Sequence, residues 1–355
     1  MSNPTRHSAS DRPWLRRYTK LVAIATLVLI FLGAQVNSHD AGLAVPDWPT
    51  SFGVNMFLFH WSNWVGGVFH EHLHRLAASL VGLLTVVLAA WIGMVERRTW
   101  VKVLSAIALL SVIAQGVLGG LTVKFLLPAP VSISHALLAQ SFLVIMIVIA
   151  YSQSKERASR FASESHGEEF PLSSVGLLLV AAVFAQLFLG ALMRHTESGL
   201  AIPDFPTMAG QWSPFFGQDS VEWVNAWRSD YTFEHGKLLG PVVLSQIWIH
   251  FAHRAGALAV SAAALAALVT SYRHRAECPG AWRVMRFIAV LVVVQIGLGV
   301  STVWTVRVPI VASIHVATGA AILGLSTIFT LRALPVRLVL RSPERAAARL
   351  KPVST

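Results

Sequence analysis

The chain has 355 residues, 55% of them hydrophobic and only 13% charged, with a positive mean hydropathy. That is about half the charged fraction of soluble domains, and apolar stretches of bilayer-spanning length recur along the chain, which excludes a soluble globular protein. The formal charge of +11 does not point to nucleic acid, because most Lys and Arg lie in short segments between alternate apolar runs, and the single cysteine, Cys278, excludes an internal disulfide, a thiolate zinc cluster and an iron–sulfur cluster held by this chain alone.

Residues 1–17 are polar and basic, with Arg12, Arg16 and Arg17 ahead of the first apolar run. Such a start also fits a signal peptide, but the repeat described below argues for a retained helix. Eight apolar runs are predicted as membrane helices, at about 19–36, 70–94, 103–123, 130–151, 172–193, 245–271, 285–305 and 308–331. Arg97, Arg98 and Lys102 follow the second run, and Lys155, Arg157 and Arg160 the fourth. Arg273, Arg275, Arg283 and Arg286 follow the sixth, and Arg332, Arg337, Arg341, Arg345 and Arg349 the eighth. These segments and the N-terminus belong on the cytoplasmic side. The loops 37–69, 124–129 and 194–244 and the turn near 306 hold few positive charges and belong outside.

The chain also repeats itself. Leu32-Gly33-Ala34 through Gly42-Leu43-Ala44-Val45-Pro46-Asp47-Trp48-Pro49-Thr50 matches Leu189-Gly190-Ala191 through Gly199-Leu200-Ala201-Ile202-Pro203-Asp204-Phe205-Pro206-Thr207. Gln115 and Gly119 match Gln295 and Gly299, and Val131 to His135 match Val311 to His315. The offset grows from 157 to 180, so the second outer loop holds about 22 extra residues. Four spans per copy make the repeat parallel rather than inverted. The fold class is therefore an all-α integral membrane protein, with eight transmembrane helices as two parallel-repeat four-helix bundles and both termini cytoplasmic. Its predicted parts are a cytoplasmic segment 1–18, a bundle 19–151, a cytoplasmic linker 152–171, a bundle 172–331 and a cytoplasmic tail 332–355.

Bundle cores hold cofactors between facing helices. His74 opens the second run and His135 follows it by 61 residues in the fourth; His253 and His315 repeat this at 62. Each pair lies at matched depth near the outer side. Ionisable groups in such runs cost roughly 2.5–3.5 kcal/mol when charged, so they are functional candidates. Two imidazoles on separate helices can grip one planar macrocycle from both faces, which makes the four histidines candidate axial ligands of two hemes. A heme also explains the small residues Ala77, Ala78, Ala136, Gly256, Ala257 and Gly319 nearby. The bland alternative is helix–helix hydrogen bonding, which explains one such histidine better than four in duplicate register. Zinc is a rival at His250 and His253, but no further ligand pattern is shared by both copies.

Glu71 stands one turn before His74 on the same face, and its counterpart is His250. A carboxylate there can act as base or proton acceptor, or cap the start of its helix. Arg75 and Arg254 follow their histidines and either pair with heme propionates or snorkel to headgroups. The aromatic of each Pro-Asp-Trp/Phe-Pro block is an interfacial anchor or a lid. His39, His60, His70, His72, His195 and His235 have no matched counterparts and are expected to be mostly solvated. Trp48, Trp61, Trp64, Trp212, Trp223 and Trp227 suit an interface belt.

With Glu71-x-x-His74-Arg75, the Gly-Leu-Ala-Val-Pro-Asp-Trp-Pro block, Ser134-His135, His253-Arg254 and Ile314-His315, the chain resembles the heme A synthase family over roughly residues 19–331. The resemblance implies an oxidoreductase of the bacterial inner membrane that converts the C8 methyl group of heme O to a formyl group, giving heme A for cytochrome c oxidase. It implies His74 and His135 at the iron of the substrate heme, Glu71 as the catalytic group, and heme b as cofactor on His253 and His315. Heme O synthase, cytochrome oxidase assembly factors and an unidentified redox partner are the implied partners besides the lipid bilayer, and the sequence leaves an oligomer open. Some members carry a cysteine pair in the first outer loop. Residues 37–69 contain none, so a mechanism needing that disulfide is ruled out and the chain looks like the proteobacterial and mitochondrial branch. The competing readings are a bis-histidine heme b electron carrier and a heme transporter.

Overall fold

The computed structural model describes residues 12–162, 171–236 and 238–334. The cationic tail positions Arg337, Arg341, Arg345 and Arg349 lie outside the described residues. Ten α-helices are present among them: α1 (Pro13–Ser38), α2 (Gly67–Val95), α3 (Thr99–Lys124), α4 (Ala129–Ser152), α5 (Lys155–Ala162), α6 (Pro171–His195), α7 (Gln218–His235), α8 (Leu244–Arg273), α9 (Pro279–Trp304) and α10 (Pro309–Ala333). All but α5 and α7 are long and apolar enough to cross a membrane, and each coincides with one of the eight predicted runs. The chain is a multi-pass, all-helical membrane protein. The described residues contain no strand beyond two isolated bridges, Ser51 with Val54 and Met208 with Gln211.

Local chemistry sets the helix ends. Proline occupies the first turn of α1, α4, α9 and α10, where its missing N–H costs nothing. Gly236 ends α7 in a left-handed conformation, φ 65°. Inside the spans, hydroxyls donate back to the preceding turn, as Thr26 does to the Val22 carbonyl at 2.8 Å and Thr85 to Val81 at 2.7 Å, which satisfies these protons without water. Apolar residues such as Ile24, Leu83, Leu258 and Val293 point outward, as a lipid-facing surface requires.

Two rings of helices result. α1 packs on α2 and α4, with α3 between those two; α6 packs on α8 and α10, with α9 between those two. Leu15, Val22, Leu88, Ile92, Phe142 and Met146 fill the first ring; Leu179, Met285, Ile288, Leu323 and Phe329 fill the second. A seam of α1 on α10, α4 on α6 and α4 on α10 joins them. α7, unforeseen as a helix, lies in the loop expected to carry extra residues. It covers one end of the second ring with a small core of Ile202, Phe216, Val224, Val242 and Ile247. At the opposite, basic end, Arg160 donates to the Leu331 and Leu334 carbonyls at 3.1 Å each, and Arg332 pairs with Glu156 at 2.6 Å.

Candidate functional site

The four histidines sit near the loop end of the rings, each lying against a glycine of a neighbouring helix. A Cβ on Gly33 of α1 would stand 3.0 Å from the His74 ring, and one on Gly190 of α6 would stand 3.2 Å from the His253 ring. On Gly119 of α3 and Gly299 of α9 it would stand 3.5 and 3.2 Å from His135 and His315. These glycines belong to the repeated blocks, and seating the rings is the role the sequence comparison did not supply. The helices are also pinned beside them. Gln115 donates to the His135 carbonyl at 2.9 Å and Gln295 to the His315 carbonyl at 3.0 Å.

The His253 and His315 ring centres are 6.4 Å apart at 68°. Two imidazoles bound to one metal stand about 6 Å apart, the sum of two bonds of about 2 Å and two nitrogen-to-centre offsets of about 1 Å. His74 and His135 lie within electrostatic range of each other. Nδ1 of His74, His135 and His315 is buried without a hydrogen-bond partner, which leaves these rings oriented by packing. Buried imidazoles in glycine-lined cradles, with His253 and His315 spaced for one iron, fit a heme. Among the described residues no group of three or more His, Cys, Asp or Glu is placed to hold a metal ion.

Around these pairs the two halves build the same loop. Arg75 donates to the carbonyls of Val45, Asp47 and Thr50 at 2.8, 2.7 and 3.1 Å. Arg254 donates to Ile202, Asp204 and Thr207 at 3.0, 2.7 and 3.1 Å. These guanidiniums staple the Pro-Asp-aromatic-Pro loop to the histidine helix. The aspartate closes the same loop from inside. Asp47 accepts the Phe52 and Gly53 N–H groups at 2.7 and 2.8 Å, and Asp204 accepts those of Ala209 and Gly210 at 2.8 and 2.9 Å. Burial raises the Asp47 pKa, but hydrogen bonds from Thr50, Gly53 and Phe52 outweigh it and hold the carboxyl below its usual value. The aromatic packs on a neighbouring helix with one side and stays exposed on the other. The Trp48 ring lies on Gly120, where a Cβ would approach it to 2.6 Å; Phe205 lies beside Trp304 and under Arg254.

The halves differ at one buried acceptor. In the first, Glu71, only 4% exposed, takes the Val45 N–H at 2.7 Å and Arg75 at 2.5 Å. In the second, His250 Nδ1 takes the equivalent Ile202 N–H at 3.2 Å. A second difference escaped the sequence reading: Gln186 donates to the His253 carbonyl at 2.9 Å and faces its ring, where the first half has Leu29. Gly256 gives way to Gln186, and Gly319 to Leu187 and Gln295, so these small residues admit neighbouring side chains.

The expectation of solvated loop histidines fails for His72. It is fully buried, bonded to Ser51 at 3.2 Å and flanked by Trp64 and Phe59, because the α1–α2 loop folds back over α2. His39 and His70 stack at 3.8 Å, and His195 is half-buried, whereas His60 and His235 are exposed.

The profile of the COX15-CtaA family, described as cytochrome oxidase assembly protein, matches residues 62–327. The chain is 27% identical over 339 residues to the heme A synthase of Shewanella oneidensis, covering 89% of this chain and 94% of that protein. It is 25% identical over 312 residues to the heme A synthase of Halalkalibacterium halodurans, at 85% and 91% coverage, and 26% over 347 residues to that of a Chelativorans species, at 89% and 90%. With three-quarters of its length under one family profile and its paired histidines in place, the chain belongs to the COX15-CtaA family of cytochrome oxidase assembly proteins.

Proposed function

We propose that the chain is a heme A synthase. In this reading it oxidises the C8 methyl group of heme O by two successive hydroxylations, and the resulting geminal diol loses water to give the formyl group of heme A for cytochrome c oxidase. The observation that carries the proposal is the pair of duplicated histidine cages that differ at one buried proton acceptor, Glu71 against His250.

The parallel repeat divides the labour. The first bundle, 19–151, takes heme O with His74 and His135 at its iron. Glu71 sits one turn from His74, held by Val45 N–H and Arg75, as the proton-accepting catalytic group. The second bundle, 172–331, holds heme b between His253 and His315; when bound, this group supplies one-electron redox chemistry. Gly190 and Gly299 let its two histidine rings lie flush, and Gln186 fixes the His253 backbone. Arg75 and Arg254 act on both sites through the loops they staple. Positive charge at the α2–α3, α5 and α8–α9 segments supports cytoplasmic termini, sites in the outer leaflet and residence in the bacterial inner membrane. Heme O synthase is then the supplier of substrate, with oxidase assembly factors and a redox protein as further partners.

An electron carrier with two unmodified hemes is the second reading. It is favoured by the engagement of both Glu71 oxygens in the loop staple. Acid extraction of the purified chain and chromatography of its hemes separates the two. The enzyme yields heme O, a hydroxylated intermediate and heme A beside heme b; the carrier yields heme b alone. Glu71→His, which copies the second half, should keep heme bound and abolish formyl product. Undiminished heme A would remove Glu71 from the mechanism.

A further inference from the structure

Three arginines gather at the loop end of the second ring, and none has a counterpart in the first. Arg194, at the end of α6, matches Asn37; Arg307, in the α9–α10 turn, matches Leu127; Arg228 comes from the added helix α7. Arg307 and Leu127 share a left-handed backbone, φ 61° and 60°, and both lean on the glycine that opens the repeated loop block. A Cβ on Gly199 would meet the Arg307 side chain at 3.6 Å, and one on Gly42 would meet Leu127 at 3.2 Å. The turn is thus built alike in both halves, and its side chain is charged only in the second.

Arg228 is spoken for, donating to Gly240 at 2.6 Å and Leu200 at 3.1 Å. Burial, and then the charge of Arg307, pushes its guanidinium below the usual value. Arg194 donates to the Ala34 carbonyl at 2.9 Å, to Ser38 at 2.5 Å and through Nε to Asn37. It stands within electrostatic range of both Arg307 and His315. Asp40 lies in range of Arg194 and Glu197 in range of Arg228, but among the described residues no carboxylate forms an ion pair with any of the three. The Arg307 guanidinium itself has no hydrogen-bond partner among the described residues. Like charges held together beside a buried histidine, with no carboxylate ion-paired to them among the described residues, are arranged to receive an anion.

We propose that Arg194 and Arg307 form an anion site at the loop end of the second half, one that holds the carboxylate arms of the porphyrin gripped by His253 and His315. The inference rests on the reading that the second half carries a heme. It explains why one half retains its porphyrin while the other, with Leu127 and Asn37 at these places, takes up and releases one. The resident group is clamped at its iron and at its carboxylates; the transient one is clamped at its iron alone.

The test uses the full-length chain with His74→Ala, so that the second half dominates the signal. Transfer of heme b to excess apomyoglobin is followed by the Soret band. Arg307→Leu, a residue this turn already accommodates at Leu127, should speed heme loss at least about tenfold, the worth of one charge-assisted hydrogen bond. Reconstitution of the heme-stripped chain should favour hemin over its dimethyl ester by a similar factor, a measurement that needs no variant at the site. In the otherwise native chain, Leu127→Arg should slow release of porphyrin from the first half. Equal loss rates for Arg307→Leu and its parent, or equal binding of acid and ester, would overturn the anion site while leaving the heme in place. Retention of heme by His253→Ala would instead overturn the reading beneath it, and the anion site with it.

Discussion

Gly33, Gly190 and Gly299 give the His74, His253 and His315 rings bare patches that a Cβ would crowd to 3.0, 3.2 and 3.2 Å, whereas a Cβ on Gly119 would stand at an ordinary 3.5 Å from His135. α9 contains its own control, because nothing lies within 4 Å of a Cβ built on Gly297. Gly299→Val should therefore displace His315 and strip most heme b from the second half, whereas Gly297→Val should leave it bound. The heme-to-polypeptide ratio from a pyridine hemochromogen assay reads the difference, and equal ratios would refute the seating role. The sequence held this signal in plain view, since each glycine recurs in a matched block. What it lacked was the partner: a glycine and a histidine 41 residues apart, as Gly33 and His74 are, meet only once the helices pack. His72 misled for the same reason. Its place before an apolar run reads as solvated, and only the fold of the loop over it makes it a core residue.

At the scale of elements, the eight spans were legible because apolar length is a local property. The staples were not, because backbone carbonyls carry no residue identity. Arg75 and Glu71 form a pair only 10% and 5% exposed, and Arg75 alone serves three loop carbonyls. Arg75→Ala should cost about 3–5 kcal/mol, the typical loss when one partner of a buried pair is removed. Arg75→Lys should recover only part, since an ammonium lacks the planar fork. Melting of the detergent-solubilised chain checks both; a melt for Arg75→Ala within error of the parent would dismiss the staple. At the basic end, burial raises the Glu96 pKa, but Arg98 and Gln153 donate to its carboxylate at 2.7 and 2.9 Å and bring it down from 4.5 to about 2. A depressed acid stabilises the fold fully above its unfolded value and loses that contribution as pH falls from about 4.5 through 2. The melting-temperature gap between the parent and Glu96→Gln should accordingly be full at pH 7 and shrink at pH 3. A gap that is the same at both values would count against the clamp.

The whole molecule is two rings held by a seam that has little hydrophobic drive inside a bilayer, so packing and hydrogen bonds must hold it. At the loop end, Arg194 reaches from α6 to Ala34, Asn37 and Ser38 of α1, and Ser313 of α10 donates to Ser38 at 3.0 Å. In mid-membrane, Gly324 lets α10 approach α4 so closely that a Cβ would stand 2.8 Å from Ile147. At the basic end, the Arg332–Glu156 pair is 24% and 36% exposed, a setting in which ion pairs contribute about 0–1 kcal/mol. Each ring also has its own buried core. The consequence is that the peptide link between the rings should be dispensable while the Arg194 contacts are not. Co-expressed fragments 1–162 and 163–355 should copurify from detergent through a tag on one of them, with heme content close to that of the intact chain. Arg332→Ala in the second fragment should leave recovery unchanged, and Arg194→Ala should reduce it severalfold, because the buried loop-end acceptors lose their donor. Recovery that follows Arg332 rather than Arg194 would mean that the basic end, not the seam beside the histidines, holds the halves in register.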